Sequence, residues 1–568
     1  MTQDKRQANR TPLAAATALL ALVLLPRAIA QAQTPAQTPE RPTVEMLQAT
    51  TQALIEALVD SGLITRDKAN QLIATAAAKA KLATASVAPA LAAPELGAEV
   101  GKDGKKVIRV PYVPQAVKDE IRNGIKQEVL QQARTERWGQ PGAYPAWVER
   151  FKIEGDYRLR GELTRLSSAN TAAGIVGYTN GNLTRAADIS QNTLNSAPSF
   201  NTQEDFDRLR LRARLGVTAT LSEQVSTTLR VATGNTADRT STNQTLGQSF
   251  NKYQLVADQA YLTVRGFDQR LILTCGRLPN PFFSTDLLWA DDLGFEGVAA
   301  TGTMPVVGGA SGFVTAGFFP VTENRPGVNK PRALLGVQAG FDMKLGRGDR
   351  RLKIGVALYN YQGIEGVQES TADTTRSDYA ARYEYASGFR QRGNTLFNVR
   401  APGDTANPVY GLASSFQELN LTATLDWDDL LPQHLRLTGD VVKNLGFNRA
   451  EMERRTGQPI PDGVDIGFLA RVQLGQTQIN KRGDWNASLA YRYLGSDAVL
   501  DAFTNSDFGL GGTNNKGLIM GLNYGLFTNT SLSARWLSAN PIDSYAPGSE
   551  TSTKMAVDAM QVEINTRF

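Results

Sequence analysis

From residue 150 to the end of the chain, apolar and polar residues alternate one for one in segment after segment. In FKIEGDYRLRGEL, Phe151, Ile153, Gly155, Tyr157, Leu159, Gly161 and Leu163 share one face, and Lys152, Glu154, Asp156, Arg158, Arg160 and Glu162 share the other. Successive side chains point to opposite faces of a strand, whereas a helix cannot hold a period of two over so many residues. RLRLRARLGVTA repeats the pattern, with Leu209, Leu211, Ala213, Leu215 and Val217 against Arg208, Arg210, Arg212 and Arg214. The chain closes the same way: Val562, Ile564, Thr566 and the terminal Phe568 alternate with Gln561, Glu563, Asn565 and Arg567. A final aromatic in such a strand is wasted on a soluble core but well placed at a membrane interface.

Segments of this kind recur near 223–234, 256–265, 270–278, 294–302, 311–320, 333–345, 351–362, 416–427, 434–444, 463–475, 484–494, 517–527, 529–538 and 556–568, giving sixteen strands with the first two. In LILTCGR either face could point outward. The links between strands alternate strictly, long loops at 279–293, 321–332, 363–415, 445–462, 495–516 and 539–555 with shorter turns. Long loops at one end, short turns at the other and an even strand number describe a transmembrane β-barrel. A mean hydropathy of −0.28 is compatible with a bilayer protein only in that form, because alternate residues alone face lipid. Phe151, Trp427, Trp485 and Phe568 fall at one level, and Tyr491, Tyr493 and Trp536 towards the other, as two aromatic girdles would. The predicted fold is a sixteen-stranded antiparallel barrel over residues 148–568.

The N-terminus points to export. Lys5, Arg6 and Arg10 precede the uncharged run Leu13 to Leu25, and Ala28-Ile29-Ala30 fits a cleavage site, so residues 1–30 read as a signal peptide. The run is 13 residues long, short of the roughly 20 that a spanning helix requires. Residues 31–147 read as a periplasmic helical module with linkers. Within it, Leu47, Leu54, Leu58 and Val59 mark a first helix and Ala69, Leu72, Ile73 and Ala76 a second, while Val117, Ile121, Ile125 and Val129 stripe a third.

Composition leaves little room for other chemistry. One Cys and one His rule out a disulfide framework or a Cys/His metal cluster, and a net charge of +5 that includes the leader gives no case for nucleic acid. His434 falls in a turn, Cys275 within a strand, and the glycine-rich stretches GGASG and GLGGTNNKG lack the lysine of a phosphate cradle. No catalytic residue, cofactor or metal site is expected. The arginines are different. A midplane arginine facing lipid costs about 2–4 kcal/mol, so Arg158, Arg160, Arg208, Arg210, Arg212, Arg214 and Arg230 are assigned to the pore lining. By alternation the lumen carries 14 clear bases against 8 clear acids, and about half of the bases are expected to pair across strands.

The stretches DQAYLTV (258–264) and GRLPNPFFSTDLLWADDLGFEGV (276–298), the first strand, the terminal Phe568 and the N-terminal segment DSGLITRDKANQL resemble the putative porin family of Gram-negative outer-membrane proteins, related to general and phosphate-selective porins. The resemblance implies passive diffusion of small hydrophilic solutes through a homotrimer in the cell outer membrane. It implies contact with outer-membrane lipid and lipopolysaccharide, and a role for Phe568 in the signal read by the barrel assembly machinery. It also implies an inward-folded constriction in the loop after the fifth strand, which carries Phe282, Phe283, Asp286, Asp291 and Asp292, with the carboxylates opposing the arginine wall; an outward cap whose acids are solvated or bind divalent cations is the other reading of this loop. A mild anion preference would follow. Two alternatives stay open: a solute-specific channel for sugars, phosphate or another anion, and a barrel-anchored envelope structural protein with a blocked pore. Conductance separates the last from the others.

Overall fold

A computed structural model describes residues 148–170 and 201–568, apart from residues 237, 307–308, 326–329, 347–349, 387, 407, 429–432 and 543–554. The expected signal peptide and helical module lie outside the described residues. A single 3-10 turn, Val148–Arg150, leads into the barrel. The wall is built from β1 (Phe151–Leu166), β2 (Phe206–Thr220), β3 (Val225–Thr233), β4 (Leu255–Gly266), β5 (Leu271–Leu278), β6 (Phe295–Pro305), β7 (Ser311–Thr322) and β8 (Arg332–Leu345). It continues through β9 (Arg350–Gln362), β10 (Gln417–Trp427), β11 (Leu435–Asn444), β12 (Ile466–Gly475), β13 (Trp485–Leu494), β14 (Asn515–Phe527), β15 (Thr530–Pro541) and β16 (Val557–Arg567). These are the sixteen strands read from the alternation, with no end displaced by more than three residues.

Every neighbouring pair is antiparallel, and β1 pairs with β2 on one side and β16 on the other, which closes the sheet. Closure removes the unpaired edge that hydrocarbon would not tolerate. The joint is finished by the last residue. Phe568 and Gly155 exchange two backbone hydrogen bonds, of 3.0 and 3.1 Å. A Cβ on Gly155 would come within 2.5 Å of the Phe568 ring, so the glycine is what lets the ring lie flat on β1. Strand β3 is short and pairs only with the lower half of β2; a two-residue strand, Gln244–Thr245, covers Arg210 and Leu211 above it.

Outward faces are apolar along the wall, with Leu215, Leu229, Val298, Val337, Leu421, Val472, Leu489 and Leu522 all exposed. An apolar surface of this extent suits lipid, not water. Leu271 and Leu273 of LILTCGR belong to it, which settles the face of β5. Among the described residues no helix is long and apolar enough to cross a membrane.

The main packed core lies inside the barrel. Inward residues Ala357, Tyr359 and Tyr361 of β9, Phe319 of β7, Leu334 of β8, Val442 of β11 and Leu469 of β12 pack against Phe282, Leu287, Leu288 and Trp289 of the β5–β6 loop. Val499 and Leu500 of the β13–β14 loop and Leu396 and Leu412 of the β9–β10 loop complete it. The rings meet edge to face: Phe282 on Tyr359 with centroids 5.0 Å apart, Trp289 on Phe295 at 5.0 Å and on Tyr359 at 5.3 Å. This plug occupies the side of the lumen bounded by β5–β12. The sequence reading anticipated no such plug, because it assigned inward positions to water.

Candidate functional site

The opposite side of the lumen is polar, and its chemistry begins with the register of β1 on β2. Asp156 faces Arg214, Arg158 faces Arg212, Arg160 faces Arg210 and Glu162 faces Arg208. Two directly opposed arginine pairs would repel unless other groups supplied negative charge. β16 supplies some. Glu563 sits opposite Arg160, with 2.7 Å between charged atoms, and 3.8 Å from Arg158. Glu162 takes Arg208 and, at 3.7 Å, Arg210. Asp156 takes Arg212 at 2.9 Å and Arg214 at 2.5 Å.

Two loops provide the rest. From the β5–β6 loop, Asp292 reaches Arg212 at 3.2 Å and Arg214 at 3.0 Å. From the β13–β14 loop, Asp507 reaches Arg160 at 2.9 Å and Arg535 of β15 at 2.7 Å. The arginine wall is thus also the anchor for two inward-folded loops. Arg230 stands apart, paired at 2.5 Å with Asp258 of β4. All seven sequence-assigned arginines are therefore in contact with carboxylates.

The β5–β6 loop crosses the lumen, and each of its anchors is specific. At one end the Gln338 amide of β8 brackets Phe283, accepting from its N–H at 2.7 Å and donating to its carbonyl at 2.7 Å. Gly336 leaves the recess for Phe282, where a Cβ would stand 2.5 Å from the ring. The Lys353 ammonium lies 4.3 Å from the centre of the Phe283 ring. Further on, the Thr285 hydroxyl donates to Asp440 of β11 at 2.6 Å, and Asp286 pairs with Arg471 of β12 at 2.6 Å. At the far end Asp292 meets β2. The five residues singled out in this loop are thus divided: Phe282 and Phe283 hold it to the plug side, Asp286 pins its middle, and Asp291 and Asp292 lie at the polar side.

Between the loops and the wall is a cavity of about 550 Å³. Its lining includes six arginines (Arg158, Arg160, Arg212, Arg214, Arg535 and Arg567) and four carboxylates (Asp291, Asp292, Asp507 and Glu563). Asn486, Ser488, Asn523, Ser531, Ser533 and Asn565 supply uncharged polar surface. Of the four carboxylates, Asp291 alone has no ion pair or hydrogen bond among the described residues. Asp291 is exposed to the cavity, but the protein surrounding it inside the barrel withholds bulk solvent, and that, then the adjacent Asp286 and Asp292, pushes its carboxyl up to about 6. Burial would also raise Asp286, but Arg471 and Arg492 beside it hold it below its ordinary value. Asp292 is held low in the same way by Arg212 and Arg214, against the effect of its burial.

Asp507 and Arg535 were not both visible from the sequence. Alternation along β15 places Arg535 in the lumen; Asp507, in the loop stretch NSDFGLGG, carries no local pattern that distinguishes it from a solvated acid. His434 lies at the short-turn end, its Nε2 2.9 Å from Asp426. Cys275 is half-buried in β5, unpaired with any other thiol.

The family model described as Putative porin matches residues 48–568. No curated protein matches the sequence. Among solved structures, the chain is similar to OprB of Pseudomonas putida in its high-pH form, at 10% identity, covering 74% of this chain and 95% of that one with a TM-score of 0.40. It is similar to the outer membrane channel DcaP of Acinetobacter baumannii, at 12% identity, 74% and 97% coverage and a TM-score of 0.35. It is also similar to OmpF of Salmonella typhi in complex with daunomycin, at 10% identity, 74% and 97% coverage and a TM-score of 0.35.

Proposed function

Because the chain belongs to the Putative porin family and is an outer-membrane channel, we propose that it passes small hydrophilic solutes by passive diffusion through the polar cavity, with a mild preference for anions. The observation that carries this reading is the charge of the lining, six arginines against four carboxylates, beside an apolar plug packed on the side of the lumen bounded by β5–β12. Screening reduces the influence of such charges beyond about 8 Å at physiological salt, so a wide pore would average them away. A narrow, eccentric passage does not. In this reading Asp291 and Asp292 face Arg158, Arg160, Arg212 and Arg214 across the constriction, and the β5–β6 loop sets its width.

The same reading takes the protein to be a homotrimer, seated in lipid and lipopolysaccharide by its apolar outer face, with Phe568 read by the barrel assembly machinery. Its N-terminal module is assigned to the periplasm.

Single-channel recording under a salt gradient tests the selectivity. We expect open steps and a zero-current potential on the anion side for the native protein. Changing Arg208, Arg210, Arg212 and Arg214 together to Gln should move that potential towards cations, most clearly at low salt. An unchanged potential with normal conductance would mean that the paired arginines contribute no net field to the conducting path. Absence of open steps would favour the blocked-pore alternative.

A further inference from the structure

A second chamber, of about 390 Å³, lies at the end of the barrel that carries the long loops, where β3 to β8 end or begin. Its walls are mixed: Val256, Trp289, Val321, Phe389 and Phe503 give it an apolar, aromatic side, and Thr233, Thr236, Ser241 and charged residues a polar one. The acids on its walls are already engaged. Asp258 is held by Arg230, Asp292 by Arg212 and Arg214, and Glu296 by Arg277. Asp238 accepts from the Thr240 amide at 3.0 Å and its hydroxyl at 3.2 Å.

Arg239 is the exception among the charged groups of this chamber. Its Nη1 donates to the carbonyls of Gly388 and Phe389, at 2.8 and 3.3 Å, and its guanidinium stands 4.6 Å from the centre of the Phe389 ring. Asp238 and Glu296 lie near enough to act on its charge, but no carboxylate among the described residues is in ion-pair contact with it, and its Nε and Nη2 make no hydrogen bond to them. A guanidinium fixed by its stacking and one nitrogen, with its other donors uncommitted, is preorganised for a carboxylate. An apolar wall beside it rewards a solute that carries a flat hydrophobic body.

We propose that this chamber is a docking site for small organic monocarboxylates with a planar apolar body, the carboxylate on Arg239 and the ring against Phe503 and Val321. Ser241 and Asp292 line both chambers, so a docked solute lies next to the polar passage. The proposal rests on the channel reading above and narrows its substrate class.

Calorimetric titration of the full-length protein in detergent micelles, with benzoate, acetate and benzyl alcohol as probes, tests it. Benzoate should bind, and acetate (no apolar body) and benzyl alcohol (no charge) should each bind about tenfold more weakly or not at all. Arg239→Gln should weaken benzoate binding by about tenfold, the equivalent of one lost charged hydrogen bond. Benzoate bound no better than the other two, or equally well by Arg239→Gln, overturns the proposal. If that variant does not reach the folded, heat-modifiable form, the probe series on the native protein decides alone. Open steps in potassium chloride, recorded separately on the native protein, keep the two readings apart: steps without benzoate binding sink the docking site only, and absence of steps sinks the channel reading.

Discussion

Asp291 is the one carboxylate of the proposed passage's described lining whose charge changes close to neutral pH. It lies in the β5–β6 loop, outside the spanning strands, lines the cavity, and has no compensating partner among the described residues. Enclosure within the barrel, with Asp286 and Asp292 adjoining it, raises its carboxyl to about 6. The raised value means that the protonated form favours the folded loop, a contribution complete below about pH 4 and lost as pH rises through about 6. For permeation the sign is equally definite. Lowering the pH from about 7 to about 5 removes one negative charge from the lining, so the zero-current potential should move towards anions. Asp291→Asn should show the low-pH potential at both values and lose the dependence. A native protein whose ion preference is flat over that interval would contradict the assignment of Asp291 to the conducting wall. Asp286 and Asp292 should not titrate there, since their arginine neighbours hold them low.

At the scale of elements, the β5–β6 loop behaves as a strut fixed at several points, and Gln338 is the point most easily removed without touching charge. Gln338→Leu deletes both hydrogen bonds to Phe283 and leaves two backbone groups unpaired, a loss of about 2 kcal/mol in anchorage. Open-channel noise and mean conductance should both rise, with ion preference kept; a conductance identical to the native one would show that Asp440, Arg471 and the ring contacts suffice. This strut also shows what could and could not be read from the chain. The strands were legible because alternation is local: Phe151 to Leu163 declare a strand without reference to any other part of the molecule. The acids at 286, 291 and 292 were legible as a loop group because they fall together between two such strands. Gln338 was not, since an inward glutamine reads as ordinary lumen surface until its partner, 55 residues away, is in place. Tyr359 and Tyr361 were similarly opaque: alternation says that they point inward, but only the folded loop turns that inward side into an apolar interior. Asp507 is the extreme case, with its partners Arg160 and Arg535 separated from each other by nearly the whole barrel in sequence and brought together by closure.

For the molecule as a whole, the terminal residue is the test of how closure works. Deleting Phe568 removes the two backbone bonds to Gly155 and the ring that covers it. The amount of folded, heat-modifiable barrel recovered from outer membranes should fall; normal recovery would show that the joint is held by the β1–β16 ladder without its last residue. The lining of the passage gives this joint a second meaning. Arg158 and Arg160 come from β1, Arg212 and Arg214 from β2, Arg535 from β15 and Glu563 and Arg567 from β16. In the channel reading proposed above, the seam of the cylinder is also the inner surface of the conduit. Pairing of β1 with β16 therefore brings the two ends of the barrel sequence together as one charged lining.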